Sequence, residues 1–197
     1  MYLISYGTRP ELIKLFPLIN IFKENNIDHK TIFTGQHEDL IKEFENLTHR
    51  PDFVLEKTMK HKQSINSLIY KIINESQKII NSYDCKVIIQ GDAASSFAVA
   101  LSAFNEGKEV IHVEAGLRTH NLRSPFPEEG FRKMISHISN IHFCPTIKSV
   151  ENLKNEGITE NVHLVGNTIV DSCAQIIDKG ESSDYLNELI SSNDDYY

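Results

Sequence analysis

The chain repeats one pattern along most of its length: a short apolar run, a turn of glycine or polar residues, then a longer stretch with helical spacing. That alternation constrains the fold more than any single motif. Residues 3–6, 31–34, 53–55, 87–89, 110–113, 141–143 and 162–164 are too short for helices and read as strands. Helical stretches fall at 10–22, 38–47, 95–105, 128–139, 147–156 and 168–177. The clearest periodicity is that of Ile65, Leu68, Ile69, Ile72, Ile73 and Ile80, behind a Ser64 cap. Pro10 suits a first helical turn, whereas Pro17 removes an interior hydrogen bond and is expected to bend its helix. Strands separated by helices pair in parallel through right-handed crossovers, so the expected fold is a doubly wound parallel α/β sheet.

Charge and cysteines exclude several functions. Twenty basic against 27 acidic residues leave a net charge of −7, which argues against a nucleic-acid footprint and against attraction to anionic membranes. Cys85, Cys144 and Cys173 are odd in number and widely spaced, which fits free thiols rather than a disulfide or zinc framework. No apolar run reaches the ~20 residues of a membrane helix and no signal-like leader precedes the first strand, so a cytoplasmic protein is expected.

Ligands of open parallel sheets bind beyond the carboxyl ends of the strands. Four polar clusters fall there. Gly7-Thr8-Arg9-Pro10-Glu11 leads into a helix whose N–H groups and positive end favour an anion, with Arg9 as an added cation. Gln90-Gly91-Asp92 and Glu114-Ala115-Gly116-Leu117-Arg118 each follow a strand directly. Pro125-Phe126-Pro127-Glu128-Glu129 opens a helix, where acidic residues also have a purely structural use. A glutamate at the end of a buried strand needs partners. Asp92, Glu114 and Glu128 share one predicted edge, and crowded carboxylates with divergent proton affinities suit general acid–base work. His112-Val113-Glu114 has the H-x-E look of zinc deaminases, but Cys144-Pro145 does not supply the Cys pair they need, so no metal site is expected. No G-x-G-x-x-G or P-loop is present.

These clusters, together with Lys14, Gly35-Gln36-His37, His112-Val113 and Gly166-Asn167-Thr168-Ile169-Val170-Asp171, resemble in order and spacing the N-terminal domain of the non-hydrolysing UDP-N-acetylglucosamine 2-epimerases. The resemblance covers about residues 1–171, as a Rossmann-like domain, and leaves 172–197 as a linker helix and tail toward a second domain. It implies half of a two-domain glycosyltransferase-B-type fold with the active site between domains. It also implies conversion of UDP-GlcNAc, or a related UDP-sugar, to UDP-ManNAc for surface polysaccharide synthesis, without metal or redox cofactor. Asp92, Glu114 and Glu128 match the family's catalytic carboxylates, and Arg9, Lys14 and Arg132 its substrate-binding cations. Gln36 and His37 match a second, activating UDP-GlcNAc site. A homodimer is implied for the full-length protein. Ala93-Ala94 and Phe131 depart from the family pattern, where hydroxyl residues and an asparagine are usual. The alternatives are a hydrolysing epimerase, against which Gly7-Thr8-Arg9-Pro10 and Glu114-Ala115-Gly116 speak, and a non-catalytic stand-alone subunit.

Overall fold

A computed structural model describes residues 1–35, 50–55 and 63–178, with the backbone alone described for 176–178. The helix expected at 38–47, the Gln36–His37 pair and the tail beyond 178 lie outside the described residues. Seven strands form one sheet: β1 (Tyr2–Tyr6), β2 (His29–Phe33), β3 (Phe53–Val54), β4 (Lys86–Gln90), β5 (Val110–Val113), β6 (Ile141–Cys144) and β7 (Val162–Leu164). All neighbours pair in parallel, in the order β3-β2-β1-β4-β5-β6-β7. The order reverses between β1 and β4, and this switch point is where such sheets open a crevice.

The described helices are α1 (Arg9–Glu24), α2 (Ile65–Asn81), α3 (Ala94–Asn105), α4 (Glu128–Ile138), α5 (Ile147–Asn155) and α6 (Ile169–Asp178). Strand alternation sorts the core onto two faces. Leu3, Val87, Ile89 and Val110 pack with Ile72, Ala98, Val99 and Ile135 on the face of α2, α3 and α4. Ile4, Tyr6, Ile88, Ile111 and Val113 pack with Leu12, Leu15 and Ile19 of α1. Each such aliphatic side chain stabilises the fold by ~1.5–3 kcal/mol when fully buried.

Several boundaries differ from the sequence reading. Strand β2 starts two residues early because Tyr2 pairs with His29, extending the ladder toward its amino end. Strand β3 stops at Val54, and α6 starts at Ile169. Pro17 does not end α1, which continues to Glu24. Proline strips the hydrogen-bond partner from the carbonyl four residues before it. That carbonyl, on Ile13, instead accepts the Ser172 hydroxyl of α6. Asn20 donates to Gln175 one turn further on, at 3.1 Å. The proline thus creates an acceptor that fastens α6 to α1.

Candidate active site

Because every strand is parallel, the residues following β1, β4 and β5 emerge on one edge, and α4 begins there as well. This edge gathers Arg9, Asp92, Glu114 and Glu128, but it holds them in different ways.

Glu114 follows β5 with φ 65°, a left-handed conformation uncommon for a side chain with a Cβ. Such strain costs of order 1–3 kcal/mol and persists where surrounding contacts over-determine it. Here they do. Lys14 of α1 reaches both Glu114 carboxylate oxygens, at 2.8 and 2.7 Å. Gln90, the last residue of β4, donates its amide to the same carboxylate, and Asn167 donates from 3.0 Å. The expectation that this glutamate needs partners is met by three of them. Gly91 runs alongside; a Cβ built there would lie 4.0 Å from Glu114 Oε2.

The loop carrying Glu114 is pinned from behind. Gly116 has φ 83°, and an added Cβ would come within 2.3 Å of the Ser149 carbonyl on α5. Asn152 donates to the Gly116 carbonyl at 2.9 Å. The Arg118 side chain is fully enclosed and grips Glu156 through Nε and Nη2, with a further bond to Ser136 of α4. Lys133 completes the pairing, and the hydrogen bonds from Arg118 draw the Glu156 carboxyl down to about 2. Arg118 therefore ties β5's exit to α4 and α5 rather than facing the edge.

Asp92 forms an ion pair with Arg132 of α4. Arg132 also reaches Glu129, which is fully buried and accepts the backbone N–H groups of Thr119 and His120 at 3.0 Å each. Glu129 is thus the structural member of the Glu128-Glu129 pair. Glu128 is half-buried at the first position of α4, and its side chain makes no hydrogen bond or ion pair with another described residue. Arg9 is exposed at the first position of α1.

One expectation is overturned. The start of α1 is not open to an external anion, because Glu11 already occupies it. Its carboxylate accepts the N–H groups of Gly7 and Thr8, and the hydroxyls of Ser95 and Ser96 at 3.3 and 3.0 Å. The signal for this was in the sequence: Thr8-Arg9-Pro10-Glu11 is a capping box, and its fourth residue returns to the helix start. Gln90 and Asn167, which stand in the sequence motifs without an assigned role, also belong to the site. A glutamine closing an apolar strand is the visible sign of the first, whereas the approach of Asn167 depends on α6 docking against α1.

Among the described residues no three His, Cys, Asp or Glu side chains converge as a metal centre requires. No described helix is long and apolar enough to cross a membrane.

The chain is similar in sequence and fold to known proteins. The profile of the family described as UDP-N-acetylglucosamine 2-epimerase matches residues 20–196. A UDP-N-acetylglucosamine 2-epimerase of Salmonella borreze is 38% identical over 195 residues, covering 96% of this chain and 51% of that protein. The crystal structure of UDP-GlcNAc 2-epimerase from Neisseria meningitidis bound to UDP-GlcNAc superposes with a TM-score of 0.86 at 33% identity, over 97% of this chain and 53% of that one. The Methanocaldococcus jannaschii enzyme in complex with UDP-GlcNAc and UDP gives a TM-score of 0.86 at 36% identity, over 98% and 54%. The chain spans about half the length of the relatives it matches, and its seven-stranded parallel sheet corresponds to half of their two-domain fold.

Proposed function

The chain belongs to the UDP-N-acetylglucosamine 2-epimerase family, and from that premise we propose that it supplies the carboxylate-bearing half of an enzyme inverting C2 of UDP-GlcNAc. The observation that carries this reading is the Glu114 site: a strained glutamate at a strand's carboxyl end, fixed by Lys14, Gln90 and Asn167 beside the Gly91–Asp92 turn. Inversion by elimination needs a group to take the C2 proton on one face and a group to return one on the other, while UDP leaves from C1 and is added back. Asp92, Glu114 and Glu128 are the candidates for this proton traffic, and positioning them at rigid strand ends and a helix start is what makes such catalysis efficient. Glu128, unpaired among the described residues, is the carboxylate freest to meet a substrate.

Arg9, Lys14 and Arg132 are the cations for the departing diphosphate. Two of them are engaged, Lys14 by Glu114 and Arg132 by Asp92. Substrate binding therefore exchanges carboxylate–cation pairs for phosphate–cation pairs, which frees Asp92 and Glu114 as the diphosphate arrives. The remaining half of the site, including the uridine pocket, comes from the second domain that the relatives possess. Dimerisation and an activating UDP-GlcNAc at Gln36 and His37 belong to the same reading.

The test assays the purified 197-residue chain alone and mixed with a separately expressed second half. The expected result is 2-epimerase activity in the mixture only. Full activity from the chain alone overturns the half-enzyme reading, and turnover in neither, with both parts folded, overturns the function.

A further inference from the structure

Strand β5 carries a buried histidine, His112, registered between Ile89 of β4 and His142 of β6. His112 is 1% exposed, on the side of the sheet that packs against α3 and α4. Its Nε2 lies 2.8 Å from the Gly91 carbonyl, while its Nδ1 is buried without a partner among the described residues. A carbonyl can only accept, so Nε2 carries the hydrogen and Nδ1 is a bare lone pair. Burial drives the imidazole pKa down to about 3, so the ring stays neutral at physiological pH.

Packing does not explain this residue. A buried nitrogen with no partner is a cost that phenylalanine or leucine would avoid. What the histidine contributes is one hydrogen bond, and its acceptor stands immediately before Asp92. The Gly91 N–H donates to the Val113 carbonyl at 3.1 Å. Both polar backbone groups of Gly91 therefore end on consecutive residues of β5, the two that precede Glu114. Gly91 itself sits at φ 74°, a conformation its own preferences only weakly specify, so outside contacts decide the direction of the turn. On one side of Gly91, Gln90 holds Glu114; on the other, Asp92 holds Arg132.

We propose that His112 is a positioning residue whose Nε2–H, by anchoring the Gly91 carbonyl, sets the placement of Asp92 relative to Glu114. It touches no substrate and acts through the turn. The proposal rests on the reading of Asp92 and Glu114 as the reacting carboxylates, but its structural half can be tested without that reading.

The first experiment uses the 197-residue chain. Long-range proton–nitrogen NMR at neutral pH is expected to show His112 as the Nε2–H tautomer. In His112→Phe, the amide signals of Gly91, Asp92 and Glu114 should shift and lose protection from exchange, while those of β1 and β2 stay in place. In His112→Gln, whose amide reaches to about the same depth as Nε2, those three signals should return toward their original positions. An Nδ1–H tautomer, or unchanged Gly91 and Asp92 signals in His112→Phe, overturns the anchor. The second experiment uses the assembly that turns over UDP-GlcNAc. His112→Phe should lower kcat at least about tenfold with KM within about threefold, at unchanged or higher thermal stability, and His112→Gln should recover most of the loss. A parallel fall in stability and kcat with no rescue by Gln makes His112 merely structural. Absence of turnover in the parent overturns the proposed function, and the tautomer and amide measurements then decide the anchor alone.

Discussion

Glu11 and Glu114 stand near the same edge of the sheet, and their surroundings differ in kind. Glu11 is sealed between the start of α1 and the start of α3; four donors, two backbone N–H groups and two serine hydroxyls, surround it, and none is charged. Glu114 is held by two side-chain amides and an ammonium, on a backbone conformation glutamate rarely adopts, with 11% of its side chain open to the edge. The first arrangement completes a structure: it satisfies helix-end donors that would otherwise need water. The second, in the proposed function, leaves a carboxylate to exchange one of its partners for a ligand. Burial and hydrogen bonding alone do not separate the two acids; a paired cation and backbone strain do.

The largest effect that would sharpen the contrast is on turnover. Glu114→Gln keeps the size of the side chain and removes its charge and proton affinity. In the assembled enzyme, kcat is expected to fall on the order of 10²-fold or more, with the unfolding midpoint of the chain little changed. Near-normal turnover measured by the appearance of UDP-ManNAc would make Glu114 as structural as Glu11. The reverse pattern is expected for Glu11→Ala, which strands two buried N–H donors and two serine hydroxyls. A loss of roughly 2–4 kcal/mol should appear in urea unfolding, at about 1–3 kcal/mol per uncompensated donor with partial relief by water. A stable Glu11→Ala chain would mean that the α1–α3 junction does not depend on this carboxylate.

Much of this contrast was legible in the sequence, but not all of it. The strand–helix alternation determined the sheet, because a period of two and a period of 3.6 cannot be satisfied by the same residues. It also placed Asp92, Glu114 and Glu128 on a common edge, since each directly follows a strand or opens a helix. The capping box at Thr8–Glu11 was equally visible, yet reading Gly7–Glu11 as an anion site overlooked that the motif supplies its own anion. Other features depend on distant pieces meeting. Lys14 and Glu114 are 100 residues apart, and Asn167 and Glu114 are 53 apart. No local pattern states that Pro17 frees a carbonyl for Ser172, since the acceptor exists only once α6 docks. The left-handed backbone at Glu114 is likewise a consequence of packing, not of residue preference.

A smaller effect is expected from pH, and the two regions pull in opposite directions. Burial raises the Glu11 pKa, so whatever stability it adds is full below the ordinary carboxylate range and declines as pH rises. In the β5–β6 layer, His112 and His142 are pushed from 6.5 down to about 3 and about 4, chiefly by burial. There the unfolded chain takes up protons that the folded chain refuses, so stability falls as pH drops below 6.5 toward 4. Two histidines against one glutamate predict a lower urea midpoint at pH 4.5 than at pH 7. His112→Phe should flatten that decline, and a midpoint that rises on acidification would show that the Glu11 junction outweighs the histidine layer.

The smallest effect is the one that isolates charge from hydrogen bonding. In Glu11→Gln one oxygen remains to accept from the backbone or from the serines, and the carboxylate's second oxygen becomes an amide N–H facing donors. That mismatch costs stability. The same substitution removes a charge whose burial is the leading cause of the raised Glu11 pKa and which has no cation beside it to compensate. The two terms oppose each other at neutral pH, so a net change of under about 1 kcal/mol is expected from losing one neutral-strength hydrogen bond against one desolvated charge. The size of the difference should depend on pH. Below about the carboxylate range Glu11 is already neutral, and there the variant shows the mismatch alone and is the less stable chain; as pH rises the parent loses its advantage and the two unfolding curves converge. Curves that diverge with rising pH instead would mean that ionised Glu11 is favoured in the folded state, and would bring it closer in kind to Glu114 than its uncharged surroundings imply.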